Sequence, residues 1–299
     1  MSKSSSSGTP DVQDGIEYWK TQSADYDGVL GGFGNGSLPR VDALGSRQFV
    51  MHLIPSLCTV PSAARPLKVS PAKEYRRTRA VDVGAGVGRV TSDILLHLVS
   101  DVVLVEPVDS FVQEAFRRGQ ASADGTLVED SVRSRWKGIQ DKTKSVTLIQ
   151  GTLQAFNPSK PLDGTKLLGR VGYKPDEDDA DSGFDLVWCQ WCLGHLSDTD
   201  LAAFFRRCRQ ALRDAQESLI VVKENVCQDE NDGSPRTVFD ESDSSLTRSD
   251  KAWKQAFTRA GLTLVYEQVQ LGFPEGLYEV KMYVIKLARW PNLRSLSRH

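Results

Sequence analysis

The chain has little that would tie it to a disulfide framework, a membrane or a polyanion. Five cysteines in 299 residues, an odd number without framework spacing, exclude a disulfide scaffold and point to a reducing compartment, the cytoplasm or the nucleus. No apolar run approaches the roughly 20 residues of a membrane span, so no membrane partner is expected. Lys and Arg (37) nearly balance Asp and Glu (39), leaving a net charge of −2, and no overall field attracts nucleic acid. Cys189-Gln-Trp-Cys192 has the spacing of a redox motif but no second cysteine pair. Four-ligand zinc spacing is absent too, and no metal is expected. Internal repeats are missing. The opening residues, Met1 to Pro10, lack the apolar stretch of a secretory leader, and residues 1–14 read as a disordered polar tail.

What is present is a core-forming pattern. With 39% hydrophobic residues the chain can bury a sizeable core, and residues 15–290 read as a single domain. Strand patterns at about 79–83, 101–106, 145–150, 184–189 and 218–223 alternate with helical stretches at 88–99, 109–120 and 198–213. That alternation predicts an α/β fold, a mostly parallel sheet with helices on both faces. A helix at about 247–260 and strands at 262–270 and 277–286 close the chain with an antiparallel hairpin. Upstream, a helical pattern runs over 41–57, and the Pro- and Arg-rich residues 59–78 read as a loop. Residues 121–144 and the acidic, Pro/Gly-containing 157–183 read as surface insertions in the 79–290 core, which the sheet should tolerate losing. A polar loop is expected over 225–246.

The chemistry concentrates after the first strand. Asp82-Val-Gly84-Ala-Gly86-Val-Gly88-Arg89 places spaced glycines between a strand and a helix. Glycines remove the side chains that would keep a ligand from the backbone, and the helix start offers free N–H groups. The spacing is G-x-G-x-G, not the G-x-G-x-x-G of a dinucleotide fingerprint. Twenty-two residues after Gly84, the apolar run Val102 to Val105 ends in Glu106, placed to accept both hydroxyls of a ribose. Together these features look like the S-adenosylmethionine site of a class I methyltransferase.

Four further motifs narrow the choice. They are Tyr18-Trp19 followed by Leu30-Gly31-Gly32-Phe33-Gly34; Trp188-Cys-Gln-Trp191-Cys-Leu-Gly-His195-Leu; Lys223-Glu-Asn225; and Asp240-Glu-Ser-Asp243-Ser-Ser245. In this order they resemble the eukaryotic protein N-terminal methyltransferases, which act on the α-amine of proteins beginning Xaa-Pro-Lys or Xaa-Pro-Arg after Met removal. The resemblance covers about 16–57, 79–116, 146–156 and 184–286. It implies a Rossmann-like class I sheet with an N-terminal helical lid over 15–57, S-adenosylmethionine as cofactor, and N-terminal segments of substrate proteins as partners, ribosomal proteins among them.

The resemblance also implies roles. Gly84, Gly86 and Arg89 would hold the methionine end of the cofactor, and Gln190 its amino-acid end. Glu106 would take the ribose, where the family often has Asp, and Thr152, Leu153 and Gln154 would frame the adenine. His195 and Asp243 are the candidates for removing a proton from the substrate amine, with the choice between them open. A proline at substrate position two would pack on Trp191, while Trp188 reads as core. Asn225 would bond a substrate carbonyl. Asp240, Asp243 and Ser245 would together accept the basic residue at position three. Tyr18, Trp19 and Tyr278 would wall the channel, and Leu30, Gly31 and Gly32 would let the lid lie close over the cofactor. A small-molecule methyltransferase and a non-catalytic reader of N termini are the rival readings; the first has no use for the acidic motif, and the second none for an intact glycine run.

Overall fold

Five apolar runs become the parallel centre of one sheet in a computed structural model that describes residues 8–57, 76–127 and 135–287. They are β1 (Arg79–Val83), β2 (Asp101–Glu106), β3 (Ser145–Gln150), β5 (Leu186–Gln190) and β6 (Leu219–Cys227). β1 and β2 are buried at every position, as continuous apolar strands covered on both faces must be. With β4 (Lys166–Gly172), β9 (Leu262–Val269) and β10 (Glu279–Leu287), the strand order is β4-β3-β2-β1-β5-β6-β10-β9. Pairing is parallel from β3 to β6 and antiparallel at β4, β10 and β9. The chain winds outward from β1 through β2 and β3, then returns to the other side of β1 as β5. The crevice at the carboxyl ends of β1 and β5 is therefore the place where such a sheet binds ligands.

Alternate side chains feed two cores. Val81, Val83, Val103 and Val105 pack with Phe204 and Phe205 of α6 (Asp198–Gln210) and with Trp253 and Phe257 of α7 (Asp250–Arg259). On the other face, Ala80, Val102 and Leu104 meet Phe49 and Val50 of α3 (Leu38–Leu53) and Val112 and Ala115 of α5 (Asp109–Asp124). The helix expected over 88–99 is instead a π-helical turn, Thr91–Leu95, running into the short α4 (Leu96–Leu98). The Thr91 hydroxyl in that turn donates to Asp82 at 2.7 Å, which ties it to β1.

Several expectations change. Helix α1 (Val12–Lys20) starts inside the stretch read as a tail, because the Asp11 side chain caps it by accepting from Gln13 N–H and Asp14 N–H; residues 1–7 lie outside the described residues. So does most of the loop expected at 59–78. After the short α2 (Tyr26–Val29), α3 begins at Leu38, earlier than the pattern suggested, with Pro39 in its first turn.

Residues 121–144 are not a surface insertion throughout. Trp136 and Ile139 are 1% exposed. Cβ atoms added at Gly88 or Gly119 would come within 2.9 Å of the Trp136 ring, so the indole fills the gap those glycines leave. Nor is 157–183 a loop: it contains β4, the sheet's edge. There Arg170 donates to Asp179 at 2.6 Å and to Ser145 Oγ at 2.9 Å. The polar stretch 225–246 likewise holds the end of β6 and most of a hairpin, β7 (Thr237–Asp240) and β8 (Ser245–Ser249), with β8 pairing in parallel with β6.

Candidate active site

The turn after β1 has to bend sharply. Gly84 and Gly86 adopt φ of 62° and 56°, a region open to glycine at little cost. A Cβ at Gly84 would also meet Cys192 Cβ at 2.3 Å, and one at Gly86 would meet Val29 of the lid at 3.3 Å. The Gly86 N–H donates to Glu106 at 2.8 Å, and the Val108 N–H to its other carboxylate oxygen at 2.9 Å. The acid at the end of β2 is thus pinned beside the glycine turn. Burial pushes the Glu106 pKa up to about 7, against the pull of those two N–H groups.

These residues open onto a cavity at the β1/β5 crevice, lined by Gly84, Gly86, Arg89, Glu106, Thr152, Leu153, Gln154, Gln190, Trp191 and His195, a concave space with a few convergent polar groups, as small-molecule sites are. All eight residues assigned to the cofactor therefore meet around one space. Gln154 also donates to the His195 carbonyl at 3.0 Å, which joins the β3 and β5 loops. Lid residues close the cavity: Val12, Ile16 and Trp19 from α1, and Val29. Of these only Trp19 stood out in the sequence; apolar residues of an amphipathic helix carry no sign of which ones face a ligand.

Asp42 of α3 is a further residue that the sequence did not mark. Fully buried, it accepts from Arg89 at 2.6 Å and from Gln190 at 2.9 and 3.0 Å, and pairs with Lys223 at 2.5 Å. Burial acts to raise Asp42, but Arg89 and Lys223 outweigh it and hold its carboxyl below the ordinary range. Glu224, beside Lys223, accepts from the Cys192 and Leu193 N–H groups at 3.0 and 2.9 Å. It thereby shapes the turn that follows β5.

Cys189 and Cys192 are buried free thiols whose pKa burial raises well above the usual value. Thiols held protonated are poor nucleophiles; both side chains belong to the core, and Cys192 packs against Gly84.

A second cavity lies against the first. Leu30, Gly31, Trp191, His195, Asn225, Asp243, Ser245 and Tyr278 line it, with Trp19, Val29, Trp191 and His195 common to both. Trp191 reaches this junction from a left-handed backbone, φ 54°, a costly conformation for a bulky residue and one that recurs at functional sites. The Trp19 indole N–H donates to His195 Nε2 at 3.0 Å. Burial lowers the His195 pKa, opposed by the Asp243 carboxylate and the Ser244 backbone. Three buried atoms of the lining residues, Trp191 Nε1, His195 Nδ1 and an Asp243 carboxylate oxygen, have no hydrogen-bond partner among the described residues. Buried polar atoms left unpaired are costly, and their gathering at one junction marks a place for a polar guest.

Three assigned residues stand elsewhere. Asp240 lines neither cavity; exposed at the end of β7, it accepts from the Ser242 N–H and hydroxyl at 2.9 and 2.7 Å. The two acids do not flank one space, because the hairpin turn directs Asp243 inward while Asp240 closes the turn itself. Tyr18 lines neither cavity and packs edge-on against Trp19, ring centres 5.2 Å apart. Leu30 and Gly31 face the second cavity rather than the first, and Gly32 faces neither. Gly31 and Gly32 adopt φ of 59° and 88°, a region open to glycine at little cost, and a Cβ on either would meet no protein atom within 4 Å.

Comparisons with known proteins identify the family. A family model described as AdoMet dependent proline di-methyltransferase matches residues 9–286. The chain is 34% identical to alpha N-terminal protein methyltransferase 1 of Schizosaccharomyces pombe, over 91% of this chain and 94% of the relative. It is 30% identical to N-terminal Xaa-Pro-Lys N-methyltransferase 1 of Danio rerio, over 90% of this chain and 92% of that one. Among solved structures it resembles a SAM-dependent methyltransferase of Leishmania major, at 28% identity and a TM-score of 0.61, covering 92% of this chain and 82% of the other. The chain belongs to the family of S-adenosylmethionine-dependent proline di-methyltransferases.

Proposed function

We propose that this methyltransferase acts on the free α-amine of proteins that begin Xaa-Pro-Lys or Xaa-Pro-Arg. The observation that carries the reading is the junction of two cavities at Trp19, Trp191 and His195, where buried polar atoms wait without partners. The relatives' names supply the substrate class. Bound S-adenosylmethionine supplies a methyl group on a sulfonium, already electrophilic. Arg89 would take its carboxylate, Glu106 its ribose hydroxyls, and Thr152 to Gln154 its adenine edge. The fit rests on the pinned Glu106 and on Arg89, whose hydrogen bond to Asp42 uses Nη1 alone.

The residues of the second cavity then have a defined task. A free α-amine has a pKa of about 7.7–8.0 and is mostly protonated at neutral pH, so its lone pair must be released. With Trp19 donating to Nε2, neutral His195 carries its proton on Nδ1 and is not itself an open base. Asp243, with an unpartnered carboxylate oxygen in the same cavity, accepts the ammonium proton. Trp191 gives the substrate proline a flat apolar face, Asn225 bonds the backbone, and Ser245 with Asp243 meets the basic third residue. Holding the amine in line and dry supplies most of the acceleration.

The test is labelled-methyl transfer to Ser-Pro-Lys and Ser-Gln-Lys hexapeptides. Strong labelling of the first alone is expected; equal labelling of both, or of neither while a small amine is methylated, would overturn the reading.

A further inference from the structure

The buried cluster around Asp42 holds two cations to one carboxylate. Lys223 on β6 is fully buried and donates to Ser46 Oγ at 2.9 Å and Gln270 Oε1 at 2.8 Å besides pairing with Asp42. Three acceptors for three N–H groups describe an ammonium, not a neutral amine. Arg89 touches the same carboxylate through its other oxygen. Asp82 and Asp93 also act on Arg89. Each has its own hydroxyl donor, Thr91 at 2.7 Å and Tyr26 at 3.1 Å, and burial raises the pKa of both, which weakens their hold on the guanidinium. Arg89 lines the cofactor cavity, whereas Asp42 and Lys223 do not.

A carboxylate that served Arg89 alone would compete with any second carboxylate for the guanidinium. We propose that Lys223 is a positioning residue for cofactor recognition: by drawing off half of Asp42, it leaves Arg89 incompletely neutralised and ready for the α-carboxylate of S-adenosylmethionine, a group Lys223 never touches. Because Asp42 and Ser46 both lie on α3, the same link fixes the lid helix to the strand that carries Asn225. The inference rests on the assignment of Arg89 to the cofactor carboxylate.

The experiment compares S-adenosylmethionine with its decarboxylated form by titration calorimetry on the full chain, wild type and Lys223→Met. Wild type should prefer the carboxylated cofactor. In Lys223→Met that preference should shrink by about tenfold, the scale of one charge-assisted hydrogen bond, while affinity for the decarboxylated form stays within about threefold. A merely structural peg would weaken both ligands alike, and an unchanged preference would overturn the proposal. If wild type itself shows no preference, the Arg89 assignment has failed instead. Asp42→Asn gives the second arm, and decides the matter if Lys223→Met does not fold. With the competing charge removed, the preference should hold or grow, and a tenfold fall there would also overturn the proposal.

Discussion

The two cavities meet at one wall yet are built by opposite rules. In the cofactor half, polar side chains are already anchored by the protein: Glu106 by two backbone N–H groups, Gln190 by Asp42, and Arg89 by Asp42 through Nη1. Glu106 and Gln190 end buried parallel strands, Arg89 follows the glycine turn after β1, and all three are held in place before any ligand arrives. In the substrate half, Trp191, His195 and Asp243 keep unpaired buried atoms, and they come from a strained residue, a short turn and a hairpin. A cofactor is the same molecule in every turnover, so its site is best preorganised. A peptide terminus brings its own donors, so its site leaves acceptors and donors open. The cofactor half therefore depends on charge placement, and the substrate half on groups that gain partners only when the peptide binds.

The sharpest break in that comparison is Asp243→Asn. It should lower single-turnover methylation by roughly 10²–10⁴-fold, the usual worth of a general base, with cofactor affinity unchanged within about twofold by calorimetry. A parallel loss of cofactor affinity would show that the two halves are not separable. Trp136→Ala comes next and tests the scaffold under the cofactor half. A fully buried indole that fills the space above Gly88 and Gly119 should cost about 3–5 kcal/mol on truncation, read from denaturant unfolding. A change below 1 kcal/mol would restore the view of 121–144 as dispensable.

How much of this was legible differs between the halves for a physical reason. β1, β2 and β3 begin and end where the sequence reading put them, because buried parallel strands need unbroken apolar runs, and Asp, Ser, Gln and Gly stop them sharply. The glycine turn and Glu106 were visible because a left-handed strand-to-helix turn restricts residue type at fixed spacing and a single acid closes an otherwise apolar run. β4 was hidden: Lys-Leu-Leu-Gly-Arg-Val-Gly is a half-exposed edge strand set among Pro, Gly and acids that read as loop. Trp136 was a single aromatic in a charged stretch, with no period around it. Asp42 was one acid on an amphipathic helix, indistinguishable in sequence from a solvated one; its importance comes from Lys223, 181 positions away. Asp240 and Asp243 looked equivalent because spacing along a chain does not say which way a hairpin turn points them.

A smaller effect should appear in the pH dependence of cofactor binding. Burial raises Glu106 to about 7, so the carboxyl is neutral below that pH and ionised above it. Ribose hydroxyls donate best to the ionised form. Affinity for S-adenosylmethionine, measured without peptide, should therefore rise between pH 6 and 8, by up to about tenfold for each unit below the pKa, then level off. Glu106→Gln should bind more weakly and flatten the profile. A profile in wild type that is already flat would mean that the bound ribose does not depend on this charge.

The smallest effect concerns the two acids of the hairpin. Asp240 is exposed and already accepts two hydrogen bonds within its own turn, and an exposed charge interacts weakly with a ligand through water. Asp243 and Ser245 line the cavity that a third substrate residue would enter. Methylation of Ser-Pro-Lys and Ser-Pro-Gln peptides by wild type and Asp240→Asn forms a two-by-two cycle that isolates the interaction of this one charge with the lysine. The coupling between Asp240 and the lysine should be within about threefold, against the one to two powers of ten typical of a charged hydrogen bond made directly. The same cycle with Ser245→Ala should give the larger coupling of the two. If Asp240 instead couples more strongly than Ser245, the hairpin must turn its outer acid inward when peptide binds. The substrate half would then be assembled by its ligand to a greater degree than the unpaired atoms alone suggest.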